Sequence, residues 1–73
     1  MAQLPILSGK EVIRVLEGFG YRAVRQRGSH IRLRCPGREP VTVPDYKTID
    51  RSLLKKILRD ARITVEEFES LLH

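Results

Sequence analysis

The chain has 73 residues, 41% of them hydrophobic, and its 14 lysines and arginines exceed its 9 acidic residues, which gives a net charge of +5. The length predicts one domain with a small core, and the hydrophobic content argues against a disordered chain. One cysteine excludes an internal disulfide framework, two histidines are too few for a structural metal site, and no apolar run reaches the length of a membrane span, about 20 residues. The first residues also lack the basic and apolar regions of a signal peptide. We therefore expect a single cytoplasmic domain, residues 1–73, with no metal or other cofactor.

The first predicted element is a helix from about Gly9 to Phe19. Ser8 and Glu11 have the spacing of a capping box, and Leu7 lies where a hydrophobic staple begins. Apolar residues then recur at helical spacing, at Val12, Ile13, Leu16 and Phe19. Gly20 can end the helix in the left-handed conformation.

Three short strands are predicted next. Tyr21–Gln26 is rich in residues that favour strands, Arg27-Gly28 is a tight turn, and Ser29–Cys35 alternates polar and apolar side chains. A second turn, Cys35-Pro36-Gly37-Arg38, leads to a third strand at Val41–Val43.

The last third of the chain predicts two helices. Asp50 is a candidate N-cap for an apolar stripe formed by Leu53, Leu54, Ile57, Leu58 and Ala61. Thr64 and Glu67 repeat the capping-box spacing before a short third helix. The order α-β-β-β-α, with a short C-terminal helix, predicts an α+β fold in which helices cover one face of a three-stranded antiparallel sheet.

Strand alternation then divides the second strand between two faces. If Ile31, Leu33 and Cys35 face the helices, the open face carries His30, Arg32 and Arg34, and Thr42 projects to the same side. Between Glu17 and Glu39 the chain has no acidic residue but has six arginines: Arg22, Arg25, Arg27, Arg32, Arg34 and Arg38. This block predicts a polyanionic partner, most simply nucleic acid, because the guanidinium fork suits phosphate. The alternative is a solvated basic face that aids solubility.

His30 is the residue that could carry chemistry. An imidazole exchanges protons near neutral pH, and neighbouring guanidinium groups could stabilise a phosphoryl transition state. RNA supplies its own nucleophile, the 2′-hydroxyl, so little else is needed to cleave it. The alternative is an ordinary polar side chain on an exposed strand. Weaker candidates are Cys35, expected in the core; Tyr21 and Tyr46, which could stack on bases or act as acids; and His73, the last residue, expected to fray.

The motif Arg27-Gly28-Ser29-His30-Ile31-Arg32-Leu33 after a helix and a short strand resembles the signature of the HicA toxin family, the YcfA-like proteins. Val41-Thr42-Val43-Pro44 follows at the family's spacing, and so do Leu54, Ile57-Leu58-Arg59, Ala61, Ile63-Thr64 and Val65-Glu66-Glu67-Phe68. The resemblance covers about Ser8 to Leu72. Two positions depart from many relatives: Arg62 stands where they have glycine, and Ser52-Leu53 stands where they have Gly-Thr.

This resemblance implies a double-stranded-RNA-binding-like fold and a toxin that cleaves messenger RNA independently of the ribosome. It also implies a HicB-type antitoxin that covers the active histidine. By position the catalytic residue is His30, preceded by the motif residues Gly28 and Ser29. We expect the RNA to be bound by Arg25, Arg27, Gly28, Ser29, Arg32 and Arg34.

The leading hypothesis is therefore a metal-independent endoribonuclease, the toxin of a type II toxin–antitoxin pair, which inhibits translation and growth. A second hypothesis is a module that binds double-stranded RNA without cleaving it. A third is a protein-interaction domain whose basic face meets an acidic partner.

Overall fold

A computed structural model describes residues 4–72 of the protein. The expectations for the first three residues and for His73 lie outside this range. The elements follow the order α1 (Gly9–Glu17), β1 (Arg22–Arg27), β2 (His30–Cys35), β3 (Arg38–Pro44), α2 (Arg51–Ala61) and α3 (Val65–Ser70). None of the helices within residues 4–72 has the length and hydropathy needed to span a bilayer.

The three strands form an antiparallel sheet in the order β1-β2-β3, with α1 and α2 packed on β3. Alternate residues of β2 and β3 enter the core between sheet and helices, namely Ile31, Leu33, Val41 and Val43. The helices contribute Val12, Leu16, Leu54, Ile57 and Leu58, and α3 contributes Phe68. The expected α+β, double-stranded-RNA-binding-like arrangement is confirmed. Every residue of β1 is exposed, so this edge strand extends beyond the helical layer.

The first helix ends in the way that Gly20 predicts, although its regular part is shorter than expected. The α-helical hydrogen bonding of α1 stops at Glu17 rather than Phe19. The chain then makes one more turn, closed by hydrogen bonds from Tyr21 N to Leu16 O (3.2 Å) and from Gly20 N to Glu17 O (3.0 Å). Gly20 has a φ of +104°, so it supplies the left-handed residue of this C-terminal cap.

The first of the two predicted turns differs from the sequence prediction, and the second does not. The hairpin between β1 and β2 turns at Gly28-Ser29, one residue later than predicted, with Gly28 at φ +59°. A glycine with positive φ at the first of two loop residues is the arrangement of a type II′ turn. The second turn, Cys35-Pro36-Gly37-Arg38, is confirmed, with Pro36 and Gly37 as its two loop residues and Arg38 paired with Cys35. As a result β3 begins at Arg38, three residues before the predicted start.

The helix caps in the second half follow the prediction. The Asp50 carboxylate accepts a hydrogen bond from Leu53 N (2.8 Å), and Thr64 and Glu67 form a reciprocal capping box. Arg62, at the end of α2, has φ +58° and ψ +43°, the left-handed conformation that favours glycine. The departure from relatives noted in the sequence therefore falls on a position where the backbone itself favours glycine.

The start of α1 is locked to the end of β3. Gly9 is buried, and a Cβ at this position would overlap the carbonyl oxygen of Pro44. Gly9 N also donates a hydrogen bond to Tyr46 O (2.8 Å). This close approach fixes Pro44, the residue opposite His30 in the sheet.

Candidate nucleic-acid interface

The face of the sheet opposite the helices is built by cross-strand pairing. His30 lies directly opposite Arg27, Arg32 opposite Arg25, and Arg34 opposite Arg22. Residues paired in this way project to the same face of an antiparallel sheet. We call this surface, formed by the side chains of Arg22, Arg25, Arg27, His30, Arg32, Arg34 and Thr42, the open face.

A β-bulge at Val24 brings the arginines of β1 onto this face. Arg22 and Arg25 are three residues apart, so in a regular strand they would point to opposite sides. The register shifts between Ala23 and Arg25, and both arginines are left opposite open-face residues of β2. The bulge therefore converts an irregular arginine spacing into a continuous cationic surface.

The open face contains a groove of about 570 Å³. Its lining consists of Val24, Arg25, Arg27, His30, Arg32, Arg34 and Thr42. No lining residue is acidic, and His30, exposed beside the hairpin turn, is the one imidazole. The lining therefore combines one group able to exchange protons near neutral pH with four guanidinium groups.

Backbone and side-chain hydrogen bonds hold the site in place. Arg32 is half-buried and donates from Nη1 to the Thr42 hydroxyl oxygen (3.1 Å), which fixes one guanidinium on the open face. At the turn, Asp45 N donates to Ser29 O (2.6 Å), which ties the residue before His30 to the end of β3.

The sequence model described as "HicA toxin of bacterial toxin-antitoxin" matches residues 9–63, which include the whole sheet and His30. The chain belongs to the HicA toxin family. Among solved structures, a chain from the "Toxin-Antitoxin complex from Streptococcus pneumoniae" aligns with a TM-score of 0.70 and 24% identity, covering 78% of this chain and 98% of that one. At this identity the likeness shows a shared fold. No match was found among curated protein sequences.

In this HicA-family protein, the groove is lined by most, but not all, of the residues expected to bind RNA. Arg25, Arg32 and Arg34 line the groove. Arg27, expected in the turn, is instead the last residue of β1, directly opposite His30. The prediction for it as a turn residue is wrong because the turn begins one position later. The motif residues Gly28 and Ser29 form the turn beside the groove and do not line it.

Arg22 is not among the residues expected to bind RNA, yet it pairs with Arg34 on the open face. Only the bulge at Val24 places it there. Arg38, in contrast, belongs to the arginine block of the sequence but lies on the other side of the sheet. It donates from Nη1 to Ala61 O (3.1 Å) and stands 5.6 Å from the centroid of the Phe19 ring. Arg38 therefore stabilises the end of α2 and is not part of the open face.

The weaker candidates of the sequence lie outside the groove. Tyr21 is buried, its hydroxyl donates to Glu39 O (2.7 Å), and burial raises the pKa of this phenol. Cys35 is half-buried, with its thiol against Phe19 O, as expected for a small core residue. Tyr46 is 47% exposed but does not line the groove. Within residues 4–72, no three histidine, cysteine, aspartate or glutamate side chains come close enough together to hold a metal ion.

Proposed function

We propose that this HicA-family toxin is an endoribonuclease of a type II toxin–antitoxin pair that cleaves messenger RNA in the cytoplasm and so inhibits translation and growth. The observation that supports this proposal most is the position of His30, a single exposed imidazole at the end of an arginine-lined groove. A cationic groove attracts the phosphate backbone, and an imidazole beside it can activate a hydroxyl group.

The reaction uses the nucleophile that RNA carries. His30 accepts the proton of the 2′-hydroxyl, the O2′–phosphorus bond forms, and the bond from phosphorus to the 5′-oxygen of the next nucleotide breaks. The products are a 2′,3′-cyclic phosphate and a 5′-hydroxyl. Because His30 is the only acid–base group in the lining and the groove is open, water supplies the proton to the leaving oxygen.

The arginines stabilise the negative charge that develops on the phosphorus-bound oxygens. Arg27 is the nearest by position, since residues directly opposite on antiparallel strands have Cβ atoms about 4.5–5.5 Å apart. Arg32 is two residues along β2 and is held by Thr42. Guanidinium groups aimed at the developing charge supply the electrostatic part of catalysis. The reaction proceeds without a metal ion, because the lining has no carboxylate to bind one and the nucleophile needs no metal activation.

The partner that controls this activity is a HicB-type antitoxin that covers the open face. One surface carries both the imidazole and the five open-face arginines, so a protein seated there blocks binding and cleavage together. An acidic antitoxin surface would complement it in charge. The similar structure from Streptococcus pneumoniae is named as a toxin–antitoxin complex, which supports a protein partner of this kind.

Cleavage by wild type and His30→Ala, purified identically, tests the proposal. His30 is exposed, so the variant should unfold at nearly the wild-type temperature, and its cleavage rate should fall by about 10²–10⁴-fold. Arg14→Gln, which removes an exposed charge from α1 on the other side of the molecule, should keep the wild-type rate. Retained cleavage by His30→Ala would refute the role of His30. RNA that wild type binds but leaves intact would instead favour a binding module.

A further inference from the structure

The groove has its imidazole at one end rather than in the middle. Three cross-strand pairs, which we call rungs, follow one another from the hairpin turn: Arg27–His30, Arg25–Arg32 and Arg22–Arg34. Because alternate residues of β2 occupy successive rungs, neighbouring rungs lie about 7 Å apart along the strand. The cationic side chains of the sheet therefore extend from His30 in one direction only.

The other side of His30 has a different character. The chain turns there through Gly28 and Ser29, and the neighbouring strand ends at Pro44 and Asp45. The hydrogen bond from Gly9 N to Tyr46 O directs the chain toward α1, and Lys47 comes after this point. Lys47 and Lys10 of α1 are exposed, but neither lines the groove. A strand that passes His30 in this direction leaves the arginines behind.

The second and third rungs each place two arginines directly opposite one another. Like charges directly opposite one another destabilise a sheet. The groove lining, which includes Arg25, Arg32 and Arg34 but not Arg22, contains no carboxylate that could offset this repulsion. An anion between the two guanidinium groups would convert the repulsion into attraction. The two rungs are therefore suited to bind phosphates, and they follow the imidazole along the same strand.

We propose that a single RNA strand lies along β2 with its scissile phosphate at the Arg27–His30 rung and its next two phosphates, on one side only, at the other two rungs. The proposal rests on the proposed function and adds a direction to it. Because the rungs follow one another along β2 on one face, they suit an extended single strand, whereas successive phosphates of a duplex turn away around the helix axis. Efficient cleavage therefore requires nucleotides on one side of the cleaved bond and does not require them on the other side.

Oligonucleotides cleavable at a single bond test this asymmetry. Each contains one unmodified ribonucleotide among 2′-O-methyl nucleotides and is extended one residue at a time on the 5′ side or the 3′ side. On one side, each of the first two added phosphates should raise kcat/KM about tenfold, as expected for a charge-assisted contact, and further residues should add little. On the other side, extension should change kcat/KM by less than about twofold.

Variants assign the two steps to the two rungs. Arg25→Gln should remove most of the gain from the first added phosphate, and Arg22→Gln most of the gain from the second. Arg14→Gln, outside the open face, should leave both gains in place.

Equal gains on both sides, or no gain on either, would overturn the asymmetry while leaving the nuclease intact. Failure to cleave these oligonucleotides while unmodified RNA is cleaved would also overturn it, because the proposed contacts need no 2′-hydroxyl beyond the scissile nucleotide. If the wild-type protein cleaves no RNA of any kind, the proposed function fails and this inference fails with it.

Discussion

Two arginine substitutions in the same sheet should have opposite effects on stability. Arg25 lies opposite Arg32 on the open face, so Arg25→Gln removes a like-charge pair. Such a pair is unfavourable by about 0.2–1 kcal/mol, and the free energy of unfolding should rise by about 0.5 kcal/mol. For a domain of this size, that increase corresponds to a rise in Tm of about 2–4 °C. The same substitution removes a phosphate contact, so RNA binding should weaken and its salt dependence should fall by about 0.7 in log–log slope.

Arg38→Gln is the matched control, since it removes the same charge from β3. Arg38 donates to the carbonyl oxygen of Ala61 and stacks on Phe19, so this variant should lose about 1–2 kcal/mol of stability. The salt slope of RNA binding should not change, because Arg38 lies off the open face.

Thermal unfolding by circular dichroism and fluorescence anisotropy of a labelled RNA at several salt concentrations measure both effects. Binding is measured in the His30→Ala background, so that the RNA stays intact. A destabilised Arg25→Gln with an unchanged salt slope would refute the assignment of the open face. A normal Tm for Arg38→Gln would refute the structural role of Arg38.

Three further predictions concern the framework of the site. Gly9→Ala should lose about 1–3 kcal/mol in thermal unfolding, because its methyl group overlaps Pro44 O; an unchanged Tm would contradict the close approach. Arg62→Gly should raise the urea midpoint by releasing about 1–2 kcal/mol of left-handed strain, partly offset by glycine entropy of about 0.5–1 kcal/mol; a lower midpoint would count against it. Hydrogen bonds from the cap residues Ser8 and Thr64 lower the pKa of Glu11 and Glu67. The stabilisation that these two carboxylates supply is therefore present above the unfolded-state pKa of about 4.3, and it is lost as the pH falls through the lower folded-state values. Unfolding between pH 5 and 3 should therefore be less pH-dependent in a double variant with glutamine at both positions, and an unaltered pH dependence would show that the caps contribute nothing.

The sequence was sufficient to predict the helices, the strands and the part of the site that lies on β2. Capping boxes and helical spacing mark α1 and α3, and the alternation along Ser29–Cys35 places His30, Arg32 and Arg34 together, because a strand in a two-layer fold has one buried side. These signals are local. Each depends on residues within one turn of helix or one strand.

The contributions of β1 and β3 could not be predicted in the same way. Nothing in Ala23-Val24 signals a bulge, so a period-two pattern puts Arg22 and Arg25 on opposite faces, whereas the observed register puts them on one. The structural role of Arg38 depends on the carbonyl of Ala61, 23 residues away, which only the tertiary fold brings near. The sequence does not predict the start of β3, because Glu39 and Pro40 are poor strand residues. They lie where the register shifts between Leu33 and Cys35, and Arg38 beyond them pairs with Cys35.

Chemical rescue is the measurement that tests the role of His30 most directly. His30 is exposed in an open groove, so His30→Ala leaves space for free imidazole beside a bound phosphate. We expect His30→Ala to bind RNA as wild type does and to cleave it at a strongly reduced rate. Added imidazole should then restore cleavage in proportion to its concentration. Wild-type cleavage by the variant alone, or normal RNA binding with no response to imidazole, would contradict the account.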